Sequence, residues 1–447
     1  MIFSTIFVLL IIFGIGLPLV LLLIPRQNVA TTLGISYPLG MGLFTFIMFL
    51  TNIAGLRFSL LNELVLLILV AAPLTLFKKR EIKNFFDKVV DTFKNLQLSS
   101  VEKVILGVLA FVIVSSFLNT FYWPVSLWDS IVLYDFRAHI FASSGYMNTA
   151  FIDNYYINYP LLTSLGHTVV YLTGGKYPQF LHSLFYLSLG VSIYGFLREF
   201  VSRKLGLLSI LVLLITQPIF YHSLVSYTNL AFTVYLSLGA ICVYLWDKKK
   251  QTGYLILSAL LISLSTWTRS VEPFWLAILL VVTLVSIYRK KIWNIAIFSL
   301  FFFPMQQLWQ SFQSFLNSRL VSAVAESAAY SNIFSSLFDM ERWGRVVDYL
   351  YKNVAIPWGA IFAAFILATI SVFILKEQRK LFLIFFITYV LLASLFAGTV
   401  ELSITTEYWY RIGDAAQRLS TIYYPLFVYC IALAIQGFVK VKQGTKY

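Results

Sequence analysis

The residues best equipped for chemistry stand close together between Trp123 and Pro160. Asp129 follows Trp128 and lies near Trp123 and Tyr134, so aromatic walls can strip water from its carboxylate and raise its affinity for a proton. A carboxylate so placed suits general-base catalysis. Further on, Asp135 and His139 are spaced for one face of a helix and could simply pair with each other. Arg137, between them, suits an acid or a phosphate. The plainer reading of Asp129 is an N-cap, lending an oxygen to backbone N–H groups at the start of the helix that runs on to about Ser144.

Other charged groups fall at the ends of apolar runs, where a charge is costly and is usually paired or functional. Arg269 precedes Glu272 by one turn, and an ion pair between them is its plain role. Arg411 and Arg418 both precede the last apolar run, and Arg418 could snorkel to headgroups. His167 and His222 are isolated in the sequence and read as structural. Cys242 and Cys430 both lie in apolar runs and carry no metal or redox reading. A divalent ion between Asp129, Asp153 and a lipid phosphate is conceivable, but no cofactor and no metal site is expected.

The elements that must position these groups are helices in a membrane. Hydrophobic residues make up 60% of the 447 and charged residues only 12%, too few to clothe a soluble domain. The apolar blocks are long enough to cross a hydrocarbon core, which takes about 20 helical residues. A β-barrel would show short alternating segments instead. Spans are expected near 2–24, 33–54, 58–77, 104–122, 178–197, 205–222, 225–246, 254–270, 273–288, 292–311, 355–375, 381–398 and 419–438. The first is too long for a signal-peptide core and has no basic segment before it.

Basic clusters at 78–80, 203–204, 248–250, 289–291, 379–380 and 440–442 all fall on one side if there are about 13 spans and the N-terminus is outside. That side holds most of the 33 basic residues and should be cytoplasmic, while the acids lean the other way. The net charge of +14 is then a topological bias that suits anionic lipid, and no basic stripe points to nucleic acid. Residues 78–103 read as a cytoplasmic amphipathic stretch with Phe85, Phe86, Val89, Val90 and Phe93 on one face. The large outer loops are 121–177, 312–354 and 399–418, so chemistry should face outward from a plasma membrane.

Order adds specificity. Trp128-Asp129 opens an amphipathic helix that ends before Gly145. Asn158-Tyr159-Pro160-Leu161-Leu162 follows, then Ser226-Tyr227-Thr228-Asn229-Leu230, Trp267-Thr268-Arg269-Ser270-Val271-Glu272-Pro273, and Gln417-Arg418-Leu419 leading to Tyr424-Pro425-Leu426. Over about residues 104–437 this series resembles the GT-C superfamily of membrane glycosyltransferases that use polyprenyl-phosphate-sugar donors. Within it, the protein O-mannosyltransferases and the lipid A aminoarabinose transferase are the types resembled. The chain departs from the pattern at Ser130, Asn158 and Asn229, where relatives carry acids.

The resemblance implies an all-α polytopic membrane protein, GT-C-like, with amphipathic helices in the outer loops. Residues 1–103 would be an N-terminal three-span extension and 104–447 the catalytic module. Asp129 would be the general base, and Arg269, Arg418 and Arg411 would hold the donor phosphate. Trp128, Asp135, Arg137, Tyr159, Asn229 and Glu272 would line the substrate. The expected reaction moves a sugar to an acceptor glycan, lipid or protein on the extracytoplasmic face, with inversion. A lipid-linked sugar transporter or flippase, or a polysaccharide polymerase or ligase, is the alternative. Acids confined mostly to outer loops and a lack of internal symmetry weigh against transport.

Overall fold

In hydrocarbon no water is present to satisfy backbone N–H and C=O groups, and this chain meets that demand with helices. The computed structural model describes residues 2–25, 27–147, 159–269, 272–317, 339–405, 410 and 413–442, and every regular element among them is helical. In chain order these are α1 Ile2–Leu23, α2 Val29–Ile53, α3 Leu60–Phe77, α4 Lys79–Lys94 and α5 Ser100–Tyr122. A π turn over Ser130–Asp135 leads into α6 Phe136–Ser144, followed by α7 Leu162–Leu172, α8 Phe180–Leu197, α9 Arg203–Ile215, α10 Gln217–Leu224, α11 Thr228–Lys249 and α12 Thr252–Thr268. The remainder are α13 Glu272–Tyr288, α14 Trp293–Asn317, α15 Met340–Leu350, α16 Ile356–Ile374, α17 Phe382–Thr405, α18 Gly413–Leu419 and α19 Tyr423–Lys442.

Among the described residues, nine helices are long and apolar enough to cross a membrane, or ten if α9 and α10 form one span bent by 64°. The break there follows from Pro218, which sits in the first turn of α10 and cannot continue the hydrogen-bond ladder of α9. Where further spans were expected near 254–270 and 273–288, the apolar helices are shorter. The span expected near 292–311 is the 25-residue α14, which is not among the nine.

The chain divides into two compact units, one of residues 1–270 and 297–314, the other of 271–296 and 315–447. Residues 1–103 fall in the same unit as residues 104–270. Within that first unit α2 is the axis. Tyr37 donates to the Leu181 carbonyl ahead of α8's second turn, at 2.8 Å. Tyr235 of α11 donates to the Pro38 carbonyl at 2.7 Å, and Trp267 of α12 to the Thr45 hydroxyl at 3.1 Å. Such bonds and close backbone contacts hold helices together where the hydrophobic effect is absent. Gly34 and Gly195 permit the contact of α2 with α8: a Cβ on either would collide with the backbone of Ser192 or Thr31.

In the second unit α16 and α19 pack through Phe365 and Phe427, whose rings stack at 4.3 Å, and Trp358 donates to the Ser420 hydroxyl at 3.2 Å.

The amphipathic stretch is one helix, α4, followed by a new start: Ser99 and Glu102 form a reciprocal capping box that opens α5. Its apolar residues do not share one face. Phe85 is buried on Leu17 and Leu21 with Val89 beside it, whereas Phe86, Val90 and Phe93 are exposed.

Candidate functional site

The segment between α5 and α7 places the chemistry-bearing residues. α5 ends at Tyr122, Trp123 is extended, and helix resumes at Trp128. Asp129 has right-handed helical angles and makes no side-chain capping bond, so the N-cap reading does not hold. Its side chain is half-buried, while Trp123 and Trp128 stand mostly exposed. A π turn begins at the next residue; one extra residue per turn shifts every later side chain around the axis, a device common at functional sites. Gly145 ends α6 with φ 84°, and its carbonyl accepts from Asn52 Nδ2 at 3.0 Å and from the Phe58 N–H at 2.8 Å. The α2–α3 loop therefore holds the far end of this segment.

The π turn rotates Asp135 inward. Oδ1 accepts from His167 Nδ1 at 2.9 Å and from the Tyr171 hydroxyl at 2.5 Å, while Oδ2 lies 3.6 Å from His139 Nε2. The pairing with His139 is present, but two residues of α7 make the stronger contacts. Tyr171 also stacks on the His139 ring at 4.1 Å. Burial pushes the Asp135 carboxyl up, but the hydrogen bond and charge of His167, the Tyr171 bond and the His139 charge together draw it below its ordinary value. Burial and the adjoining carboxylate push the Tyr171 phenol up.

An ionised Asp135 can only accept, so the Nδ1 of His167 carries the proton of that bond. Nε2 is buried and has no hydrogen-bond partner among the described residues. The His182 ring stands at right angles to it, 6.2 Å between centres, with Nδ1 also buried and unpartnered.

Beside this cluster, Arg137 is fully buried and donates from Nη1 to the Tyr159 carbonyl at 2.9 Å. Its guanidinium lies 6.0 Å from the centre of the Tyr134 ring, which also meets Tyr159 edge-on. The Tyr134 hydroxyl is 3.3 Å from that of Thr228 at the start of α11. Burial raises the Tyr134 phenol, opposed by the Thr228 bond and by the charges of Arg269 and Arg137. Arg137, Tyr159 and Arg269 therefore converge electrostatically on one buried phenol. Arg269 itself is half-buried and extended at the end of α12, set there by Trp267, which packs between Phe46, Phe49 and Trp309.

Asn229, next to Thr228, is buried, and its Nδ2 lacks a partner among the described residues. So do the hydroxyls of Ser130, Thr163, Ser164 and Ser226. Buried polar groups are nearly always hydrogen-bonded, and an unmet one costs about 1–3 kcal/mol. This concentration, on the π turn and the starts of α7, α8 and α11, calls for water or for a hydroxyl-rich occupant.

The other expected site residues lie in the second unit or outside the described residues. Arg418 is half-buried in α18 of the second unit. Glu272 opens α13, but its side chain, like Arg411, Asp153 and Asn158, lies outside the described residues. Among the described residues no three His, Cys, Asp or Glu side chains converge as a metal site. Sequence reasoning gave His167 only a structural role and passed over Tyr171 and His182. A signal was available: His167 and Tyr171 are four apart, the same spacing as Asp135 and His139, so each pair presents one helical face. Comparison with known proteins finds no matching family model, curated protein or solved structure.

Proposed function

We propose that this protein is a membrane glycosyltransferase that takes a sugar from a polyprenyl-phosphate carrier and passes it to an acceptor at the outer face of the membrane. The observation that carries the reading is the combination of a half-exposed carboxylate, Asp129, with buried hydroxyl and amide groups in want of partners and two arginines within electrostatic reach of Tyr134. A sugar supplies the hydroxyls such a lining needs, and a phosphate supplies the anion the guanidiniums suit. In the proposed step the acceptor oxygen attacks the anomeric carbon and Asp129 takes its proton. The anomeric C–O bond breaks toward the phosphate, which leaves with the electron pair, stabilised by Arg269. Arg418 and Arg411 stay in the proposal as further phosphate ligands on the ground of the sequence resemblance alone.

The test incubates the purified chain in nanodiscs with a panel of radiolabelled polyprenyl-phosphate monosaccharides and membrane extract as acceptor. Turnover of one donor that is lost in Asp129→Asn supports the reading and names the sugar. Absence of turnover for every donor, from protein with an undisturbed melting curve, overturns it.

One observation favours a second reading. A buried Asp135–His167 pair with His182 beyond it is the kind of chain that carries protons in transporters. Proton-coupled movement of a lipid-linked sugar would then depend on a pH gradient across liposomes, where the transferase reading expects no such dependence.

A further inference from the structure

The first unit holds a second polar site, at the end of its helices that carries the basic loops. A cavity of about 660 Å³ opens there between the α1–α2 loop, α4 and the ends of α8 and α11. Lys88, Arg198, Arg203 and Lys249 line it, with Asn28 and Tyr194 between them. Glu199 is the single carboxylate in the lining. Two of the cations are already matched: Arg203 makes a two-pronged contact with Glu102 at 2.6 and 2.9 Å, and Lys249 lies 2.5 Å from Glu199. The other two make hydrogen bonds to backbone carbonyls, Lys88 to Gln27 at 2.8 Å and Arg198 to Val201 at 2.5 Å. Among the described residues neither of these has a carboxylate partner. The cavity thus carries an excess of positive charge that nothing described neutralises.

α4 forms one wall through Lys88 and Thr92, and Leu96, 40% exposed, reaches the cavity beside them. The opposite side of α4 presents Phe86, Val90 and Phe93, all exposed. In water that row would be a liability; at a bilayer surface it lies among acyl chains and sets the helix, with the cavity behind it, at headgroup depth. We propose that the cavity binds the phosphate of an anionic phospholipid, its headgroup between Lys88 and Arg198 and its chains leaving past Leu96. The ligand chemistry is a phosphate ester, and the headgroup depth favours the lipid over a free phosphate compound. The proposal is independent of the transferase reading.

The test titrates phosphatidylglycerol into micelles of the full-length chain and counts bound lipid by native mass spectrometry. One equivalent is expected to be retained in preference to phosphatidylcholine. Lys88→Gln and Arg198→Gln should each weaken it about fivefold, the worth of one cation near a membrane surface. Lys88 is exposed, so its variant keeps the fold even if Arg198→Gln disturbs the end of α8. Lys290→Gln with Lys291→Gln, on a different basic loop, should leave retention unchanged. An equal loss in that pair, or no loss in Lys88→Gln, overturns the proposal in favour of diffuse charge attraction. Displacement of the lipid by millimolar inorganic phosphate overturns it in favour of a soluble phosphate ligand.

Discussion

Asp135 carries two donors on one oxygen and a histidine opposite the other, and this balance decides how it behaves. Desolvation alone would raise the carboxyl's affinity for a proton; the three partners outweigh it. Removing one member of such a buried set leaves the others exposed to the same desolvation, at about 3 kcal/mol. Asp135→Ala should accordingly lower the melting temperature in detergent by several degrees, and Asp135→Asn by less, because its amide oxygen still accepts. The sign with pH follows from the lowered value. The unfolded chain takes up the proton first, so the stabilisation is complete above the ordinary carboxyl value of 3.8 and is lost as the pH falls through the depressed folded value. Melting curves of Asp135→Asn should lack that acid-limb component, and identical acid limbs would refute the assignment. Asp129 is the contrast. It is half-buried, and the proposed function makes it the base, so Asp129→Asn should remove sugar transfer while the fold persists. A large melting shift would mark it as structural.

Helix α4 shows how one element serves two environments. Ile82, Phe85 and Val89 turn toward Leu17, Leu21, Val29 and Leu33, and the adjacent stripe of Phe86, Val90 and Phe93 turns outward. Phe85 is the anchor, and truncating a buried phenylalanine costs about 3–5 kcal/mol. Phe85→Ala should release α4 from α1, read as faster hydrogen exchange over residues 79–94. Phe93→Ala, at 69% exposed, should leave that exchange unchanged in micelles. Faster exchange in Phe93→Ala but not in Phe85→Ala would mean that α4 is held by its outer stripe instead. The π turn after Asp129 is the other element with a distinct task. It turns Asp135 onto α7 and Tyr134 onto α11, pinning the segment that bears Asp129 at two points.

At the scale of the molecule, the arrangement of basic loops makes a topological prediction. Ser126→Cys should react with an impermeant maleimide on intact cells, and Lys204→Cys only after permeabilisation. Both positions are exposed, and the native Cys242 and Cys430 are buried, so background labelling should be low. The reverse pattern would invert the orientation and move the Asp129 segment to the cytoplasmic side. The cavity beside Lys88 and the cluster around Asp135 both lie in the first unit, the former among loops expected inside and the latter in a loop expected outside.

The helical, membrane-embedded class can be read from composition and hydropathy, because blocks of some 20 apolar residues leave the backbone no other way to satisfy its polar groups. The sequence also marked the Trp123–Pro160 segment, since charged and aromatic side chains gather there between apolar runs. It did not reveal the bend at Pro218 between α9 and α10, nor that Phe85 and Phe86 part company, because hydropathy carries no record of what a face packs against. The Asp135–His167–Tyr171 contact was equally hidden. Its members lie more than thirty residues apart, and only the packing of α7 on the π turn brings them within hydrogen-bond distance. Local spacing determines which side chains share a face; which face meets which partner is decided by the close packing of helices, and that is a property of the tertiary structure alone.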